Sequence, residues 1–418
     1  MRVIVLGAGL AGVASAWYLR QAGHEVVVVE RQPKPGLETS FANGGQISVS
    51  HAEPWANPGA PGQIVRWLGR EDAPLLFRPR ADLQQWSWGL AFLAQCLPGS
   101  TRRNTQAIQR LAIYSRDRLR ELRRATGIEY DFIGKGILHL FFTARDFAHA
   151  GKRKALLNEF GMRADVLDAR ECMAVEPALR DCREPLAGGL YAPEDESGDA
   201  MKFTQRLAGL CAERGVSFHH GLAAESIEAR AGRIAAVHVR GAGGALERIE
   251  GDAFVVALGS YGPQLVRPLG EHLPIYPVKG YSITMPLAPD AQAPEVSLTD
   301  ESRRIVCSRL GQRLRVAGTA ELNGHDLSIN RTRCEAILRR TCELFPSLQP
   351  AGEVEYWAGL RPATPSNVPV IGRGKPANLF YNTGHGTLGW TLACGSGQVL
   401  AEIVSGRRPA LEFPFRGL

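Results

Sequence analysis

The 418-residue sequence predicts an α/β fold in which a parallel βαβ unit is joined to a second unit with a large antiparallel sheet and flanking helices. Three observations predict it. A strand, a glycine-rich turn, a helix and a second strand open the chain; alternating strands fill 274–321; and a strand–glycine–helix unit closes the chain.

Arg2 to Leu6 is a short run of branched and apolar residues, as in a buried strand. Gly7-Ala8-Gly9-Leu10-Ala11-Gly12 follows, then a helical stretch Val13 to Gln21, then the apolar strand Glu25 to Val29 ending at Glu30. This is the βαβ dinucleotide fingerprint with its parts in order. Gly7 permits the tight turn, Gly9 lets the backbone approach a pyrophosphate, and Gly12 lets helix and strand pack closely. The helix N-terminus then presents N–H groups and a positive dipole end to phosphate. Glu30 is placed to accept hydrogen bonds from an adenosine ribose, and an acid there disfavours a 2′-phosphate, although Arg31 is its neighbour. The fingerprint alone leaves FAD and NAD both open.

Thr39 to Ile47 is small, polar and glycine-rich, a loop whose backbone can approach a cofactor. Trp55 to Ser100 carries four of the seven tryptophans among five prolines, with Arg66, Arg70, Arg78 and Arg80 nearby. Ile64 to Leu68 and Leu83 to Leu97 read as amphipathic helices there, suited either to packing between units or to an interfacial patch. Thr105 to Thr126 is a helix whose arginines read most simply as a solvated face. The acidic run Glu194 to Asp199 precedes a helix from Ala200 to Arg214, and reads as a capping region rather than a metal site. Gly251 to Gly259 is a buried strand ending in a turn, the position where clefts form in open α/β sheets. Further strands are expected at Arg233 to Val239, Val354 to Leu360, Val368 to Ile371 and Leu379 to Asn382, Arg331 to Leu344 reads as a helix, and Gly384 to Gly389 opens a last helix, Trp390 to Ser405.

The net charge of +7 is spread along the chain, with no nucleic-acid-binding motif. The eight cysteines form no CxxC pair and no zinc spacing, and read as reduced thiols. Met1 leads straight into a strand, so no signal peptide is expected, and no apolar run approaches the roughly 18 residues of a spanning helix. The expected location is cytoplasmic, with any membrane contact peripheral, on the cytoplasmic face of the inner membrane.

Four segments carry a resemblance: VIVLGAGLAGVASAWYLRQAGHEVVVVER, ETSFANGGQIS, WAGLRPATPSNVPVIG and NTGHGTLGWTLACGSGQ. Together they resemble the small, flavin-carrying subunit family of bacterial D-amino acid dehydrogenases, within the glutathione-reductase-like, D-amino-acid-oxidase-type flavoproteins. The likeness spans almost the whole chain, and the C-terminal pair is far more specific than the glycine fingerprint. It implies non-covalent FAD on a Rossmann-like domain made of 1–55, 155–265 and 355–418, and a substrate domain made of 56–154 and 266–354. It implies oxidation of a small D-amino acid to a 2-oxo acid and ammonia, by hydride transfer from Cα to flavin N5. Electrons then pass to a quinone or another respiratory acceptor, in a homo- or hetero-oligomer. An oxygen-using glycine- or sarcosine-type oxidase, a D-hydroxyproline or opine dehydrogenase subunit, and a non-catalytic FAD-binding subunit are the competing readings.

The residues expected at the cofactor are Val3, Leu6, Gly7, Gly9, Leu10, Ala11, Gly12, Glu30 and Arg31 from the first unit, and Thr39, Ser40, Asn43, Gly44, Gly45, Gln46 and Ile47 from the loop. Ala224, Ala257, Gly259, Ser260, Gly359 and Gly384, His385, Gly386, Thr387, Leu388 and Gly389 complete them. Phe41 is bulkier than the family pattern and bears on substrate range. Arg361, at a strand end before Pro362, is the candidate carboxylate anchor, because a guanidinium binds a carboxylate bidentately. His385 is an acid–base candidate, Tyr281 and Tyr261 are pocket candidates, and Cys394 reads as an inert core residue rather than a flavin thiol. No metal is expected.

Overall fold

The computed structural model describes residues 1–67, 69–71 and 73–418. A six-stranded sheet runs in the order Val370–Arg373, Leu379–Thr383, Ala253–Val256, Arg2–Leu6, Glu25–Glu30, Ser217–His220. Its pairs are parallel except the first, and Arg2–Leu6 sits mid-sheet with Val3 beside Val26 and Ala253. A central parallel strand is buried on both faces, which is why RVIVL and EVVVV are runs rather than alternations. The helix Leu10–Gln21 covers one face, with Val13, Ala14, Trp17 and Leu19 buried.

The last helix, Gly389–Val404, crosses both Leu10–Gln21 and the long helix Pro98–Thr126 in one core. Its ACGSG segment explains the closeness. A Cβ on Gly395 would lie 2.7 Å from Ser115 Cβ, and one on Gly397 would lie 2.9 Å from the Ala14 backbone. The Gly395 N–H donates to Ser115 Oγ at 2.9 Å.

A nine-stranded sheet forms the second layer. Its main path is Glu355–Ala363, Tyr276–Pro286, Arg313–Leu322, Ile305–Arg309, Ser297–Asp300, Ile137–Phe141, Gly188–Ala192, Asp165–Leu167, and Leu75–Phe77 pairs with Arg313–Leu322. It is antiparallel apart from two parallel pairings, Ser297–Asp300 with Ile137–Phe141 and Leu75–Phe77 with Arg313–Leu322. Its strands come from both sides of the expected domain division. Asp165–Leu167, Gly188–Ala192 and Glu355–Ala363 join this sheet, whereas Pro98–Thr126 packs in the core of the six-stranded sheet. Apolar partner faces decide this, not chain order. A separate three-stranded antiparallel sheet, Ala223–Arg230, Arg233–Arg240 and Leu246–Glu250, contains two strands that the sequence reading passed over.

Local expectations hold with shifts of a few residues. Arg331–Leu344 is helical as read, and Leu83–Gln95 and Ala60–Trp67 are the two tryptophan-segment helices, with Leu68 outside the described residues. The arginines of Pro98–Thr126 are not simply solvated. Arg120 and Arg123 hold the buried Glu196, and Arg116 pairs with Glu194 at 2.6 Å. Of the acidic run, Asp199 alone caps the helix Ala200–Glu213, accepting from the Lys202 N–H.

Candidate active site

One large cavity, about 1620 Å³, lies between the six-stranded and nine-stranded sheets. It exceeds the roughly 300–1,000 Å³ of ordinary ligand sites, as a dinucleotide together with a substrate requires.

The nucleotide end is built by the first βαβ unit. Gly7 has φ +101°, a conformation that excludes a side chain, and a Cβ there would meet the Ala257 carbonyl at 2.8 Å. A Cβ on Gly12 would lie 1.9 Å from Gly7 O, whereas one on Gly9 would meet only Ser40 Oγ, at 3.8 Å. Gly9 therefore faces room and Gly12 faces backbone, as the fingerprint requires. Glu30 is buried and accepts the Ala8 and Gln32 N–H groups at 2.7 and 2.8 Å. Each carboxylate oxygen can accept a further hydrogen bond, so a ribose hydroxyl can share it. Burial raises its pKa. Arg31 is held by Glu38 at 2.7 Å and lies over the Tyr261 ring.

Most of the sequence-expected cofactor residues line this cavity, Ala224, Gly259, Ser260 and the turn His385 to Gly389 among them. Six do not. Val3, Leu6 and Ile47 are core side chains with no exposure. Gly12 touches Gly7, Gly359 is filled by the Trp357 ring, and Gly384 packs on Thr364. These six shape the walls from behind, because a strand or tight turn cannot present every residue to one side.

Polar atoms suited to a cofactor remain. Ser48 Oγ, Thr319 Oγ1 and Asn382 Oδ1 are buried, without a hydrogen-bond partner among the described residues, and all three residues line the cavity. Buried polar groups are normally satisfied, so unpaired ones here fit a site shaped for a polar ligand. The residues present fit FAD.

Arg361 stands on Glu355–Ala363, paired in register with Val278 on Tyr276–Pro286. Its guanidinium lies flat over Gly280, where a Cβ would come within 2.3 Å of Cζ. Its Nη1 donates to the Thr319 carbonyl at 2.8 Å. Thr319, on Arg313–Leu322, has φ +55° beside an irregularity in the register of that strand with Tyr276–Pro286, between Lys279 and Tyr281. Such bulges re-aim groups at binding sites. Among the described residues no carboxylate pairs with Arg361, and burial together with the charge of Arg333 lowers its pKa to about 10. It is thus a charged donor at neutral pH with capacity for an external carboxylate.

Tyr281 lines the cavity, but its hydroxyl donates to the buried Glu321, so it is engaged in the wall. His385 is buried, its Nε2 3.1 Å from Ser396 Oγ, and burial lowers its pKa to about 4. A neutral imidazole so held steadies the turn before the last helix. Phe41 packs against Trp357, with ring centroids 6.3 Å apart. Cys394 is 1% exposed in the shared core.

A second polar cluster went unread in the sequence. His51, His139 and Glu301 bring donor atoms within 4.8 Å of one another, and the Arg153 guanidinium lies among them, 2.5 Å from Glu301 and 3.0 Å from His51 Nδ1. The arginine supplies the positive charge a metal would otherwise bring. His139 Nε2 is 2.9 Å from Ser50 Oγ, which bonds the buried Asp195. No spacing rule links residues 51, 139, 153 and 301; only the tertiary fold does.

Comparison with known proteins agrees with this geometry. The family model for FAD dependent oxidoreductases, DAO, matches residues 2–403. A protein of Dechloromonas aromatica named D-amino acid dehydrogenase is 56% identical over 99% of both chains. One of the same name from Paramagnetospirillum magneticum is 49% identical over all of this chain and 98% of its own. Among solved structures, glycine oxidase from Geobacillus kaustophilus superposes with a TM-score of 0.74 at 21% identity, covering 98% of this chain and 96% of that one. L-proline dehydrogenase from P. horikoshii also gives 0.74, at 17% identity, over 98% and 94%. With the fingerprint, the cavity and this full-length similarity together, the chain belongs to the DAO family of FAD-dependent oxidoreductases.

Proposed function

We propose that the protein is a D-amino acid dehydrogenase that oxidises the Cα–N bond of a small D-amino acid. The observation that carries this reading is Arg361, a buried-side guanidinium without a carboxylate partner among the described residues, in the wall of the FAD cavity. It supports a bidentate grip on the substrate carboxylate. The proteins named D-amino acid dehydrogenase at 49–56% identity support the substrate class.

Bound FAD would supply the two-electron oxidant for hydride removal from Cα, converting the amino acid to an imine that water hydrolyses to a 2-oxo acid and ammonia. The chain's own residues bind, orient and exclude water. Arg361 fixes the carboxylate, Thr319 and Gly280 fix Arg361, and Gly7, Gly9 and Glu30 hold the nucleotide end. The N-terminus of Gly389–Val404, after the turn His385 to Gly389, borders the cavity, and its N–H groups and dipole would stabilise negative charge on a bound cofactor. His385, neutral and held by Ser396, braces that turn. The nucleotide domain is read as 1–55, 155–265 and 355–418 apart from the strands that join the larger sheet. The electron acceptor is read as a quinone or respiratory partner at the cytoplasmic face of the inner membrane.

Anaerobic flavin reduction across D-alanine, L-alanine and sarcosine, in the native protein and in Arg361→Ala, tests the reading. D-alanine should bleach the native flavin fastest. Arg361→Ala should keep FAD and raise the apparent substrate constant about 100-fold or more, since each charge-assisted hydrogen bond contributes about 1.5–3 kcal/mol. Bleaching by L-alanine or sarcosine alone, or an unchanged constant in the variant, would overturn it.

A further inference from the structure

We propose that the helix Leu83–Gln95 seats the protein on an anionic lipid bilayer, with its outer apolar face lying in the plane of the interface. Leu83, Trp86, Leu90, Leu93 and Leu97 recur at intervals of three and four residues. They are 88, 50, 70, 48 and 62% exposed. The opposite face is also apolar and is already in use. Trp88, Phe92 and Cys96 are buried, and Trp88 Nε1 donates to the Ala363 carbonyl at 2.8 Å. A surface helix with one buried stripe ordinarily turns charge outward, yet no charged residue occurs from Leu83 to Thr101. A continuous exposed apolar stripe of this kind marks an interaction surface.

The charges around it select lipid. Arg267 is exposed and donates to Gln84 of this helix at 3.1 Å, and Arg80, whose carbonyl accepts from Trp86 Nε1, is exposed beside its start. Arg102 and Arg103 follow its end, exposed and paired with no carboxylate among the described residues. Asp82 is spent as the N-cap, and Glu71 is neutralised by Arg78. An apolar band with an indole at its edge and a basic border matches an anionic interface. No described helix is long and apolar enough to cross a membrane, so the contact is in-plane.

The FAD cavity reaches this helix, since Phe92, Pro98, Thr101 and Arg102 line it. A seated protein would therefore hold one end of the cavity toward the bilayer, where a lipid-soluble oxidant resides. In that purpose the inference rests on the quinone reading above. Seating itself is measured without turnover, so the two fail separately.

The test is co-sedimentation of the full-length FAD-loaded protein with phosphatidylcholine vesicles, with and without about 30 mol% phosphatidylglycerol. The native protein should bind the anionic vesicles about tenfold more tightly, and salt should weaken the binding. Leu90→Glu/Leu93→Glu should lose that binding at least tenfold while retaining its flavin spectrum and its turnover with a water-soluble dye. Should the double variant fail to fold, Leu83→Gln and Leu93→Gln carry the same comparison. Equal binding by native and variant proteins, or none by the native protein, overturns the proposal. So does a native dimer that the variant abolishes without any vesicle binding, because the stripe would then be a self-interface.

Discussion

Arg361 and Gly280 illustrate how one residue depends on another across a strand pair. The guanidinium occupies the space that a side chain at Gly280 would take, and mid-strand glycine is often kept for such a close approach. Gly280→Ala should push the guanidinium from its seat while leaving the nucleotide end untouched. An approximately 1 Å misplacement of a positioning group costs about 100-fold, so kcat/KM should fall by about that factor with FAD still bound. Steady-state kinetics with flavin content measured in parallel decides it; unchanged kcat/KM would show that Gly280 serves only the strand. The sequence made Arg361 visible through its GLRP setting, but it hid Gly280 and Thr319, whose roles depend on the neighbouring strand.

Among the elements, the first turn and helix were legible because every constraint on them is local. Gly12 shows how tight that element is, with Gly7 O 1.9 Å from a Cβ at its position. Gly12→Ala should separate helix from turn and reduce FAD retention at least tenfold. A ligand present at 100 times its dissociation constant stabilises by about 2.7 kcal/mol, so the melting-temperature gain on adding FAD should shrink in the variant. Equal gains in both proteins would contradict the close contact. The last helix was legible in outline, whereas its glycine contacts with Ser115 and Ala14 involve partners far along the chain. The three-stranded sheet was missed in part because its edge strand Leu246–Glu250 is mostly exposed and lacks an apolar alternation.

For the whole molecule, the buried His139 and His385 and the half-buried His51 contribute to the response to acid. Burial lowers His51 to about 3, and lowers His139 and His385 to about 4, against an ordinary 6.5. The native state therefore binds fewer protons than the unfolded chain between about pH 4 and 6.5. Their contribution is complete above 6.5 and is lost as pH falls through that window. Asp195, raised by burial to about 6 from 3.8, acts in the opposite sense over much of the same range and offsets one of the three protons. Urea unfolding from pH 7 down to 4 should show stability declining with acid. His139→Gln should flatten the slope by about one proton, and an unaltered slope would mean that His139 does not titrate on unfolding.

By itself the sequence determined the α/β class, the dinucleotide turn and the family, and it pointed to Arg361 as the candidate carboxylate anchor. Each of these is written in contiguous residues whose backbone geometry or side-chain chemistry needs no distant partner. Only the tertiary structure decided which strands share a sheet, what seats Arg361, that Arg153 lies among His51, His139 and Glu301, and that one apolar face of Leu83–Gln95 stays uncovered. Those outcomes follow from which apolar surfaces and charges meet after folding, and helical periodicity cannot tell a stripe that finds a core from one that is left facing outward.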